Sequence, residues 1–250
     1  MLLLPSPASI VRIAKAGVTG LLLLFPLPSV ALSADETDGA FYSAAIFDKA
    51  VIPVSAATLR GLQTVSGPAR LPASVLEFRR TWKAEQAARD RLLDSLLATT
   101  DDPVDRERIS RSVANDEIWR KFDRLLSFAG YSSRNLADVT TAYYVIAWEV
   151  VRDGQAIDYL GGVRQVRDSV ADALLHAPDL IVMSDADKQE AAVAMAYLAI
   201  VSAHRVRELR EAGDRAGEAR LREQVRRAVL RGQGVDLATL RLTNLGFVAD

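Results

Sequence analysis

A chain of 250 residues, half of them hydrophobic, is long enough to bury a sizeable core in a single domain. It contains no cysteine, which excludes a disulfide framework, a Cys-ligated zinc and a thiol nucleophile. With 31 basic against 32 acidic residues it lacks the positive excess that phosphate neutralisation needs, so nucleic acid is not an expected partner.

Residues 1–33 read as a secretory signal peptide: Arg12 and Lys15 make a positive start, and no acid precedes Asp35. An apolar run from Ala16 to Val30 follows, broken by Pro26 and Pro28, and small residues between Ala31 and Ser33 suit a cleavage zone. The run is too short and too broken for a membrane anchor, and no later stretch is apolar enough to span. The expected location is therefore periplasmic or secreted. Removing residues 1–33 takes away Arg12 and Lys15 and no acid, leaving 29 basic against 32 acidic residues, or −3.

Residues 34–72 carry Pro53, Gly61, Gly67, Pro68 and Pro72, too many breakers for a long helix. Phe41, Tyr42, Ile46, Phe47, Val51, Ile52 and Val54 are too apolar for a linker. The reading is an irregular arm, with one short helix near 55–63, lying against a helical domain at 73–250.

From Ser74 the helical period takes over, with Val75, Phe78, Trp82, Ala88, Leu92, Leu93, Leu96 and Leu97 on one face. Asp102-Pro103 opens a second helix as N-cap and N1, running through Ile109, Val113, Ile118, Phe122 and Leu126 to a C′ glycine, Gly130. The third starts near Asn135 and runs to about Arg152. It is apolar on nearly all sides, which marks the buried centre of the fold. A fourth follows Gly161-Gly162 and stops before Pro178. Ser184 with Asp187 resembles a capping box and opens an Ala-rich fifth helix through Leu209. Asp214 caps a sixth ending at Gly232, and Val235, Leu237, Leu240 and Leu242 suggest an apolar tail with room for one short strand. The fold expected is all-α, a single-domain antiparallel bundle of about six helices with a short packed C-terminal tail.

Motifs for chemistry are missing. His176 sits at a helix end, His204 sits among arginines, and neither belongs to an H-E-x-x-H. There is no G-x-S-x-G, P-loop or dinucleotide fingerprint. No catalytic residue, metal or cofactor is therefore expected. The polar residue to watch is Glu149 beside Trp148 on the buried helix, since a desolvated carboxyl is one signature of a functional site. It either lines a wet stripe with Arg152 or pairs with an arginine. Tyr143, Tyr144 and Trp148 complete a candidate binding cluster with Glu149 and Arg152, although aromatic residues there also serve as core. Arg205–Arg231 carries nine arginines against five acids, either a basic face for anionic lipid or an ion-paired surface.

Several segments together resemble an uncharacterised family of proteobacterial exported helical domains. They are Phe128-Ala129-Gly130-Tyr131, Asn135-Leu136-Ala137-Asp138, Ala142-Tyr143-Tyr144 with Ala147-Trp148, Ser184 through Glu190, and Leu240 through Thr243 with Gly246-Phe247. The resemblance covers about 75–250 and implies export and a helical domain, with no activity attached. The expected function is an exported, non-enzymatic interaction module for another envelope protein or envelope component. The alternatives are an enzyme with a carboxylate site near Glu149, and a peripheral binder making weak anionic membrane contact through 214–231.

Overall fold

A computed structural model describes residues 54–61, 70–98, 103–114 and 116–250, without the side chains of 104, 105 and 108. Residues 1–33, read as a signal peptide, most of the expected arm and the expected Asp102 cap lie outside these residues. Among them are eight α-helices, four 3₁₀ turns and one two-stranded hairpin. The architecture is the all-α bundle that the sequence patterning predicts.

The described piece of the arm is one turn, α1 (Ala56–Leu59), with Ser55 accepting a hydrogen bond from the Thr58 amide at 3.1 Å. Val54 and Leu59 are buried, so the arm does lie against the bundle there. Two such side chains are worth about 1.5–3 kcal/mol each.

The predicted helix from Ser74 starts later. Ala73–Leu76 is a 3₁₀ turn, and the chain then runs extended, with Phe78 N donating to Arg134 O at 3.0 Å and Glu77 bridging Asn135. The helix α2 (Trp82–Leu97) begins only after Thr81, whose side chain accepts from Ala84 N. What fixes this start is Gln189, fully buried on a distant helix: its Oε1 accepts from Thr81 N and its Nε2 donates to Thr81 O, both at 3.0 Å. Trp82, read as core, stands at the first helical position and is 64% exposed.

The second predicted helix is two, α3 (Pro103–Ala114) and α4 (Glu117–Phe128). Asp116 stands at the cap position of α4 but makes no side-chain cap, because its carboxylate takes the guanidinium of Arg89 instead. Gly130 closes α4 as expected: its φ of 78° is the left-handed region, and Tyr131 N reaches back to Leu126 O at 2.8 Å.

The helix α5 (Leu136–Arg152) is the centre. Asn135 Oδ1 accepts from the amides of Ala137 and Asp138, and the side chains from Leu136 to Trp148 are all buried. Around it pack α6 (Leu160–Leu175), α7 (Asp185–Glu211) and α8 (Arg215–Gln233). With 27 residues α7 is roughly 40 Å long and also touches α2 and α4. Its buried Ala191, Ala192, Ala194, Ala196 and Ala199 present small side chains, which lets neighbouring helices come close. Ser184 and Asp187 form the expected capping box, and α8 ends one residue beyond Gly232, at Gln233.

The tail holds two strands rather than one. β1 (Leu240–Thr243) pairs antiparallel with β2 (Gly246–Ala249), Leu242 facing Phe247 in register. A lone hairpin is marginal in water, and this one is held from below by α5 and α6. Trp148 Nε1 donates to Leu240 O at 2.9 Å, and its ring meets Phe247 edge-on at 5.8 Å. The glycine pair predicted to precede α6 lies inside its first turn, because the hairpin sits directly on it: a Cβ at Gly162 would fall 1.7 Å from Thr243 O.

The neighbouring glycine differs, since a Cβ at Gly161 would lie 3.4 Å from Asn244 O, ordinary contact. Gly162→Ala is therefore expected to destabilise the protein by about 3 kcal/mol, as overpacking against backbone does. Gly161→Ala is expected to be neutral or stabilising by up to about 0.5 kcal/mol through helix propensity. Urea unfolding of the two variants checks the contrast, and equal destabilisation would contradict the hairpin's seat on α6.

Candidate functional site

The five residues singled out on α5 do not form one site. Tyr143 and Tyr144 stack edge-on at 5.3 Å in the core, and Tyr144 Oη exchanges hydrogen bonds with the backbone of Val54 at 3.3 and 3.4 Å. Burial pushes the Tyr144 phenol above its ordinary pKa, so it stays a neutral staple for the arm. Trp148 lies beneath the hairpin and under Gly154, where a Cβ would meet its ring at 2.3 Å. Arg152 reaches Ala238 O at 2.9 Å and Asp250 at 2.5 Å, clamping the tail.

Glu149 lies with Arg152 on the less buried side of α5, as one sequence reading had it, and makes no ion pair with an arginine among the described residues. Its Oε1 instead accepts from the Ala156 amide at 2.7 Å, where the chain re-enters through a 3₁₀ turn (Ala156–Tyr159). Burial pushes its carboxyl up from 4.5 to about 7, and that single backbone hydrogen bond only partly opposes the rise. This is a neutral-range carboxyl with no cationic partner among the described residues.

The arginine-rich stretch is largely neutralised on the protein itself. Arg226 binds Asp236 through two nitrogens at 2.7 and 2.8 Å, Arg222 and Arg210 converge on Glu218 at 2.5 and 2.8 Å, and Arg227 meets Glu223 at 2.7 Å. His204 meets Glu208 one helical turn on at 3.3 Å, a pairing that lies outside the H-E-x-x-H pattern. Desolvation works to raise the Glu208 carboxyl, yet its bonds to His204 and Arg205 hold it below its ordinary value. His176 Nδ1 lies 2.8 Å from Asp172 O at the end of α6, the expected helix-end contact. No group of three potential metal ligands occurs among the described residues.

A concave site lies elsewhere among the described residues, at the mouth formed by the start of α2, the end of α4 and the loop 131–134. It is a polar cleft of about 650 Å³, lined on one side by Arg80, Trp82 and Glu85 and on the other by Asp123, Ser127 and Tyr131 through Arg134. Such a volume falls within the range of small-ligand pockets.

The walls are set by a chain of charges. Arg80 binds one oxygen of Glu85 at 2.6 and 2.7 Å, while Arg89 binds the other and continues to Asp116. Glu85 and Arg89 are both nearly sealed from water, so each charge depends on its partners. Arg80 also lies 4.6 Å above the ring of Trp119, a cation–π contact. Across the cleft, Ser133 donates to Asp123, and Ser132 N donates to Asp138 at 2.9 Å, itself held by Arg167 at 2.8 Å. The Phe78–Arg134 backbone bond ties the two walls together, so the cleft is preformed.

Sequence reasoning missed this site because its residues come from three stretches with ordinary surface composition. The one available signal was Trp82 in the polar company of Arg79, Arg80, Thr81 and Lys83, which fits a helix entry better than a core stripe. Compared with known proteins, the chain matches no family model, no curated relative and no solved structure.

The Glu149 environment sets a sign for pH dependence. A carboxyl raised from 4.5 to about 7 in the folded state favours folding most below 4.5, and that contribution fades as pH rises through 7. The full swing is of order 3 kcal/mol. Glu149→Gln keeps a carbonyl for the Ala156 amide and does not titrate. The variant is expected to gain on the wild type, by about 2 kcal/mol, between pH 5 and 8 in denaturant unfolding. A difference that stays flat with pH would contradict the assignment.

Proposed function

We propose that this protein is an exported, non-enzymatic binding module that engages a protein or envelope component through the cleft between α2, α4 and the 131–134 loop. The observation that carries the reading is Trp82, which lines a preformed polar cleft while 64% exposed. Phe128, which follows the lining Ser127 in the chain, is 59% exposed. Exposed aromatic rings beside a polar cleft are an arrangement suited to recognition. Export rests on the charged and apolar pattern of residues 1–33 and on the resemblance to exported domains. No helix among the described residues is long and apolar enough to cross a membrane.

An enzyme built on Glu149 is the second reading, favoured by its neutral-range carboxyl. Against it stands the isolation of that group, whose hydrogen-bond partner is a backbone amide. The membrane-surface reading through 214–231 has less behind it, because Arg222, Arg226 and Arg227 already satisfy carboxylates of the protein.

Affinity capture from the envelope fraction of the native cells, comparing wild type with Trp82→Ala, Arg134→Glu and a remote Leu245→Ala, tests the proposal. A partner retained by the wild type and by Leu245→Ala, and lost at least tenfold from both cleft variants, is expected. Equal capture by all four proteins would place recognition elsewhere.

A further inference from the structure

Resting on that reading of the cleft, we infer that its ligand is a short peptide with both termini free, its ammonium at Asp123 and its carboxylate at Arg134. The argument begins with which charges are already spent. Arg80, Glu85, Arg89 and Asp116 form a neutral chain of ion pairs. Two lining charges remain. Among the described residues Asp123 receives only the Ser133 hydroxyl, and Arg134 uses its backbone for Phe78 while its guanidinium makes no ion pair. The two are not paired with each other. One cleft thus holds one unspent anion and one unspent cation.

A ligand with a single net charge would satisfy one of these groups and leave the other to lose solvent without a partner, which costs affinity. A zwitterion satisfies both. The remaining lining groups suit a peptide between the two ends. Ser132 Oγ accepts from Arg134 N and keeps its own proton to donate, and the Ser127 hydroxyl makes no hydrogen bond with another described residue. Tyr131 stays a neutral phenol, since burial and then the charge of Asp138 raise its pKa. These hydroxyls can meet peptide carbonyls and amides, while the Trp82 ring offers an apolar side chain a flat surface. A cleft of about 650 Å³ leaves room for a few residues.

Trp82 also supplies the readout. The other two tryptophans, Trp119 and Trp148, are 1% and 4% exposed, so solvent-sensitive emission reports on the cleft. The full chain is titrated with the tripeptide Ala-Ala-Phe, its N-acetyl form and its C-terminal amide, following tryptophan emission and heat. Saturable binding of the free tripeptide is expected, weakened at least tenfold by either blocking group. Asp123→Asn should erase the penalty for acetylation alone, and Arg134→Gln the penalty for amidation alone, with circular dichroism unchanged. Blocked peptides binding as well as the free one, or no saturable response at millimolar peptide, would overturn the inference. If that happens while partner capture still depends on Trp82 and Arg134, the ligand class is wrong and the cleft stands. If capture is also indifferent to them, both fall.

Discussion

The whole structure hangs on burying one helix on every side. The side chains of α5 from Leu136 to Trp148 are out of water, so each polar group it carries must find a partner or impose a desolvation cost. The partners come from far along the chain. Tyr144 takes Val54 of the arm, Trp148 takes Leu240 of the tail, and Asp138 takes Arg167 of α6 together with the Ser132 amide. At its rim, Arg152 takes Ala238 and Asp250. The hydrophobic effect puts the helix in the middle without direction; these few bonds say which segment lies on which side. Thr140 Oγ1 is buried with no hydrogen-bond partner among the described residues.

A second constraint runs through α7, which carries information between α5 and the far side of the bundle. Gln189 holds both backbone groups of Thr81, and Tyr197 Oη donates to Val113 O at 2.8 Å. One places the start of α2 and the other the end of α3. The cleft follows from these placements. Its walls are a helix start fixed by α7 and a loop fixed by Asp138 on α5, so its geometry is inherited from the core rather than built for itself.

The carboxylates show how environment sorts identical chemistry. Glu85 is nearly sealed from water and held by two arginines, and so organises a wall. Asp138 serves a backbone amide and Arg167. Glu149 is given one amide and no cation, and is raised to about 7. Nothing in residue type or spacing separates these acids. What separates them is how many donors face each one once the helices are packed.

Much of the fold was legible along the chain because caps and periodicity are local physics. Ser184 and Asp214 cap the helices they were expected to cap, the central helix starts beside Asn135 as expected, and Gly130 terminates the one it was expected to end. The apolar circumference from Leu136 to Val151 marks the central helix in the sequence alone. Three points escaped: Trp82 fits an apolar stripe by spacing yet faces outward, the helix 103–126 breaks where Asp116 turns to Arg89, and Gly162 is a seat for a hairpin rather than a helix boundary. Each depends on a partner more than twenty residues away. The sequence by itself therefore determined the helical class, most helix ends and the identity of the central helix, since those follow from interactions within a turn or two. Only the tertiary structure decided which charges meet, which are left unspent in the cleft and which carboxyl loses its water, because Coulomb energy and desolvation depend on distances that the linear order does not contain.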